Sequence, residues 1–97
     1  NIDILSNISN HNSLRPKLII GFAAETNDLV KNSLKKLDEK NCDWIVGNDV
    51  SDSSIGFDSE DNQVSIFYKN NSSETLNKMS KSLIAKELVN RVIDSLN

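Results

Sequence analysis

Apolar positions along the chain fall into short groups separated by polar stretches, and their spacing predicts alternating helix and strand. Asn1-Ile2-Asp3-Ile4-Leu5 reads as a helix start, with Asn or Asp able to cap the first free N–H groups and Ile4, Leu5 and Ile8 forming an apolar side. The polar run from Ser9 to Ser13 predicts a loop, closed by Arg15-Pro16 because the residue before proline avoids helix. Lys17 to Ala23 predicts a strand whose continuous apolar letters suit burial on both faces. From Asn27 to Lys40 the pattern turns helical, with Val30, Leu34 and Leu37 on one side. A second strand spans Asp43 to Val50 around Trp44, Ile45 and Val46. This strand–helix–strand order implies a parallel pair joined by a crossover.

Asp52 to Asn62 is rich in Ser, Asp and Gly and predicts a loop. Gln63 to Lys69 predicts a third strand, in which Val64, Ile66 and Tyr68 alternate with Ser65 and Phe67. Asn70 to Lys78 is polar and predicts a mobile segment. Ser80 is placed to cap a last helix with a stripe of Ala85, Leu88, Val89, Val92 and Leu96. The expected fold class is α/β, a Rossmann-like three-layer fragment with a mostly parallel sheet flanked by helices.

Composition narrows the function classes. The chain has 97 residues and a net charge of -3 at pH 7, and only 37% of it is hydrophobic. That length is about one small domain with a modest core. A pI of about 5.0 argues against a general nucleic-acid binder, which normally shows a basic face. No apolar run is long enough to span a bilayer. Cys42 and His11 are each alone, which excludes an internal disulfide, a cysteine zinc cluster and a multi-histidine site, and a reducing cytoplasm is the expected location. No GxSxG, GxGxxG or Walker loop occurs.

What remains is a set of residues placed to bind. In an α/β fold, ligands bind in the crevice beyond the carboxyl ends of the strands. Gly21-Phe22-Ala23-Ala24-Glu25-Thr26-Asn27 leaves the first strand there, and Asn48-Asp49 leaves the second at the same edge. By default Phe22 is a core residue and Asn48-Asp49 a turn. Lys36 and Lys40 lie four apart and share one helical face, and Lys31 and Lys35 form an offset pair. On spacing alone these lysines are a solvated face, and the sharper reading is a cationic arm for a phosphate or a base edge. The helix start at Asn1 to Ile4 offers free N–H groups that suit an anion.

The order of these blocks carries a resemblance. Arg15-Pro16-Lys17-Leu18-Ile19-Ile20-Gly21-Phe22-Ala23-Ala24-Glu25-Thr26-Asn27 resembles a signature of phosphopantothenoylcysteine synthetase, the ligase domain of the bifunctional coenzyme A biosynthesis flavoprotein. Cys42 to Ser51 resembles that family's second strand and its Asn-Asp-Val-Ser end, and Gly56-Phe57, Asn62 and the Val64 strand resemble its next block. The resemblance covers the later half of the ligase domain and fades after Lys69. It implies a phosphopantothenate–cysteine ligase. 4′-Phosphopantothenate is activated by CTP as a cytidylyl anhydride, with magnesium, and the cysteine amine then displaces CMP. It further implies nucleotide contacts from Asn1, Ile2, Asp3, Ile4, Phe22, Lys36 and Lys40, with no catalytic residue and no metal ligand among these. The family has proline where this chain has Ile2, and proline suits a first helical turn. FMN belongs to a decarboxylase domain outside these residues, and the intact enzyme is expected to be a homodimer.

Residues 1–97 are therefore expected to form a partial domain that supplies part of a CTP site. Alone it is expected to have little ligase activity, with its partner the earlier half of the ligase domain. The alternative is a non-catalytic α/β interaction module without nucleotide binding. One distance separates the implied contacts: Lys36 lies nine residues past Asn27, about 13 Å along a helix.

Overall fold

The computed structural model describes residues 3–50 and 61–97. The elements run α1 (Ile4–Ser9), β1 (Ile20–Glu25), α2 (Leu29–Glu39), β2 (Trp44–Asp49), β3 (Asp61–Asn62), β4 (Val64–Tyr68), β5 (Ser73–Thr75), β6 (Met79–Ser80) and α3 (Lys81–Leu96). Of the loop expected over 52–62, residues 52–60, with the Gly56-Phe57 block, lie outside the described residues, and Asp61–Asn62 form β3 rather than loop.

The α/β class expected from the sequence is the class found. Four strands form one sheet in the order β1-β2-β4-β5, and β3 pairs with β6 separately. The sheet is mixed rather than mostly parallel. β1 and β2 are parallel, with Phe22 opposite Val46 and Ala24 opposite Asn48, while β2–β4 and β4–β5 are antiparallel. A parallel pair needs a long crossover, here supplied by α2, whereas a tight turn yields an antiparallel pair. That turn lies in the segment expected to be mobile. Asn71 adopts a left-handed conformation at φ 70°, Asn70 Oδ1 accepts from Ser72 N at 3.0 Å, and Tyr68 N donates to Ser72 O at 2.9 Å. Asparagine tolerates this geometry, so the polar stretch folds back as β5 and buries Leu76.

Each face of the sheet has its own core, giving three layers. Beneath α1 and α2 lie Ile19, Ala23, Leu37, Cys42, Ile45 and Phe67, with Leu5 packed against them. Beneath α3 lie Trp44, Val46, Val64, Ile66, Leu76 and Ile84. Trp44 meets Tyr68 edge to face at 5.2 Å between ring centroids, a geometry aromatic pairs favour.

The helices turn different sides to these cores than periodicity predicts. α2 buries Ser33 and Leu37 and leaves Val30 and Leu34 exposed. The reason is steric. α2 crosses Gly47, where an added Cβ would meet Ser33 Oγ at 2.8 Å, so only a small residue fits the contact. α3 buries Ile84 and packs Leu88 and Val92 inward, leaving Ala85, Val89 and Leu96 outside. Its cap is as expected, with Leu83 N donating to Ser80 Oγ at 3.2 Å. β1 runs from Ile20 to Glu25 rather than from Lys17 to Ala23, so Gly21 to Glu25 are strand rather than the segment leaving it. It is not covered on both faces, since Phe22 is 72% exposed.

Candidate functional site

Side chains alternate across a strand, so β1 presents Phe22 and Ala24 to the α3 face and Ala23 and Glu25 to the α2 face. The register places Val46 and Asn48 of β2 beside Phe22 and Ala24. The default core role of Phe22 fails. Its ring stands in the open at the third of the six residues of β1, three positions short of the carboxyl end where α/β folds bind ligands. Opposite Ala24, two positions further along the neighbouring strand, the side-chain oxygen of Asn48 is buried and has no hydrogen-bond partner among the described residues. Buried acceptors are normally paired, and this one faces the same side as Phe22.

The implied lysines stand on the other face. Lys36 Nζ lies 2.8 Å from Glu25 Oε1. Lys40, just past the last turn of α2, donates to Asp3 Oδ2. Asp3 is the N-cap of α1 and accepts from Ser6 N at 3.0 Å. Its carboxyl is held below the usual aspartate range, first by the Lys40 hydrogen bond and then by Ser6 N–H. The same bond raises the Lys40 ammonium. A second clasp reinforces the first: Ser9 Oγ donates to Lys40 O, and Asn41 Nδ2 donates to Ser9 O at 3.2 Å. Ser9 is therefore buried and part of α1 rather than of a loop.

The structure thus unites Asp3, Ile4 and Lys40 at one corner, keeps Lys36 with Glu25 at the end of β1, and sets Phe22 on the opposite side of the sheet. Asn1 and Ile2 lie outside the described residues. Lys31 is exposed and Lys35, largely exposed too, forms an i,i+4 pair with Glu39 at 3.8 Å, so these two belong to the solvated face. Sequence reasoning passed over Glu25 as a partner for Lys36. Eleven residues and a strand–helix corner separate them, a spacing with no periodic signature.

Other features offer less chemistry. Cys42 is fully buried, and burial, followed by the nearby Asp43 charge, raises its thiol pKa, so it stays protonated and inert. Among the described residues no group of three or more His, Cys, Asp and Glu is placed to hold a metal, and no helix is long and apolar enough to cross a membrane. A shallow depression of about 290 Å³ lies between Lys17, Trp44, Tyr68 and Lys69, at the amino end of the parallel strands and away from Phe22.

Comparison with known proteins bears on this site. Residues 1–96 match the family described as DNA/pantothenate metabolism flavoprotein C-terminal domain. The chain is 36% identical over 91 residues to the coenzyme A biosynthesis bifunctional protein CoaBC of Bacillus subtilis, covering 94% of the chain and 22% of that protein. It is 37% identical over 94 residues to CoaBC of Haemophilus influenzae, covering 97% and 23%. A solved C-terminal domain of CoaBC superposes with a TM-score of 0.78 at 30% identity, over 99% of this chain and 42% of that one. The chain therefore spans under a quarter of the length of these curated relatives and under half of the solved domain.

Proposed function

The chain belongs to the DNA/pantothenate metabolism flavoprotein C-terminal domain family, and from that membership we propose that it supplies one wall of the CTP site of a phosphopantothenate–cysteine ligase in coenzyme A biosynthesis. In this reading the phosphopantothenate carboxylate attacks the α-phosphorus of CTP and releases pyrophosphate. The cysteine amine then attacks the acyl carbon and releases CMP. The residues here bind and orient the nucleotide and carry none of the bond-making groups.

The observation that carries the proposal is Phe22, an aromatic ring 72% exposed on the α3 face of β1, three residues before the carboxyl end of the strand. Exposing it wastes apolar area in the free chain, and a stacked base recovers that area. The unpartnered Asn48 acceptor on the same side supports a ligand carrying N–H or O–H donors. The α1 amino end and Lys40 add donors at the far corner. Magnesium is commonly held by substrate phosphates plus one or two carboxylates. The carboxylates described here form no cage, so the triphosphate and residues outside them would hold the ion. The rest of the site, and the contacts to phosphopantothenate and cysteine, are proposed to come from the remainder of the ligase domain, working as a homodimer.

Titration with CTP tests the reading. The unchanged protein is expected to bind CTP, and Phe22→Ala and Lys40→Gln are each expected to weaken it. Absence of CTP binding to the unchanged protein would overturn the proposal. It would favour an interaction module without nucleotide, a reading supported by the carboxylate partners that Lys36 and Lys40 already have and by the exposed Val30 and Leu34.

A further inference from the structure

Lys36 and Lys40 share a helix face, yet their carboxylate partners differ in kind. Asp3 is exposed, at the tip of a short helix. Glu25 is held by two side-chain contacts and one backbone bond. Its side chain is 15% exposed. Its Oε1 accepts from Lys36 Nζ at 2.8 Å, and its Oε2 lies 3.5 Å from Asn32 Nδ2, one helical turn earlier on α2. Its backbone oxygen accepts from Val50 N at 2.9 Å, locking the end of β1 to the end of β2. Glu25 is thereby tied to both β2 and α2, and it holds the Lys36 ammonium at that corner.

That pairing changes what Lys36 can recognise. An ammonium has three N–H donors, and one goes to Glu25. The remaining donors keep their hydrogen-bonding power, but the carboxylate beside them cancels the net positive charge. A phosphate brought to Lys36 would sit beside the Glu25 carboxylate, in a partly buried corner where like charges are poorly screened. An uncharged acceptor, such as a sugar hydroxyl or a base carbonyl, meets no such repulsion.

We propose that Glu25 is a positioning residue that turns Lys36 into a hydrogen-bond donor for the uncharged nucleoside part of the ligand rather than for its phosphates. The assignment rests on the nucleotide reading above and divides the work between the two lysines. Lys36 reads the sugar, the base being assigned to Phe22 across the sheet, and the phosphates are held elsewhere.

The experiment compares dissociation constants of CTP, CMP and cytidine, by calorimetry and NMR titration, for the unchanged protein, Lys36→Gln and Glu25→Gln. Lys36→Gln is expected to weaken all three by a common factor, on the order of tenfold for one charge-assisted hydrogen bond. Glu25→Gln is expected to weaken all three together as well, since Lys36 loses its anchor. A loss for CTP at least tenfold larger than for cytidine in Lys36→Gln would overturn the assignment. So would tighter CTP binding in Glu25→Gln, or no change in Lys36→Gln. These outcomes leave the nucleotide reading standing, whereas failure of the unchanged protein to bind any of the three overturns both. Lys36→Gln keeps a polar side chain at a 38% exposed position, so it is expected to fold and decides the question even if Glu25→Gln unfolds.

Discussion

Ser33 of α2 lies directly over Gly47 of β2, so close that a Cβ at position 47 would meet the serine hydroxyl at 2.8 Å and Leu29 Cδ1 at 2.9 Å. This contact sets the depth at which α2 rides on the sheet. Through α2 it also sets where Lys36 and Lys40 stand relative to the ends of β1 and α1.

Gly47→Ala is therefore expected to destabilise the chain by about 1–3 kcal/mol, the usual cost of overpacking a close contact. Ser33→Ala tests the same contact from the other side. The hydroxyl is buried with no partner among the described residues, so its removal is expected to be neutral or stabilising. Denaturant midpoints for the two variants check both signs, and a harmless Gly47→Ala would show that α2 does not press on β2.

Phe22 separates stability from binding. Its ring is largely exposed, so Phe22→Ala is expected to change unfolding free energy by no more than about 0.5 kcal/mol. CTP affinity is expected to fall by roughly tenfold, within the range of base–aromatic stacking. Parallel denaturation and CTP titration read the two effects, and a large stability loss with unchanged affinity would return Phe22 to an ordinary packing role.

The Asp3–Lys40 pair predicts an acid limit for α1. A carboxyl whose pKa is depressed by folding adds stability above its unfolded pKa and loses it as pH falls through the folded one. The docking of α1 on α2 is thus expected to persist through mild acid and weaken only below the ordinary aspartate range. Carboxyl NMR titration of Asp3 is expected to show a low pKa that rises in Lys40→Gln. An identical titration in both proteins would remove the pair as its cause.

Tyr68 predicts a limit at the alkaline end. Burial, and after it the bond from its hydroxyl to Glu74 Oε2 at 2.8 Å, push its pKa up to about 12. A raised pKa favours the folded chain below the unfolded value, and that contribution is lost as pH rises from about 10 toward 12. The chain has one tyrosine, so phenolate absorbance reports it alone. Titration near 10 in the folded chain would contradict the packing at Tyr68, and Glu74→Gln is expected to lower the midpoint.

The elements that sequence located well are those where local chemistry and burial agree. Ser80 caps α3 because a serine hydroxyl suits the first free N–H groups wherever the helix lies. β2 is legible because Trp44, Ile45 and Val46 are buried whichever face they take. The misreadings share one cause. Val30 and Leu34, like Val89 and Leu96, satisfy helical spacing, but spacing cannot say which of two apolar arcs meets the sheet. At α2 the small pair Gly47 and Ser33 decided it, and neither residue stands out in a hydropathy pattern.

The site divides in the same way. By itself the sequence determined the family, the α/β class and the identity of Phe22, Lys36 and Lys40 as candidates, because ordered motifs survive in the letters alone. Only the tertiary structure decided that Phe22 is bare, that Asn48 on the same face carries an oxygen unpartnered among the described residues, and that Lys36 and Lys40 each have a carboxylate partner. Asp3 and Lys40 are 37 residues apart, and Glu25 and Lys36 lie across a strand–helix corner. Charge pairs of that kind depend on distances set by chain crossing and close packing, which no local pattern encodes.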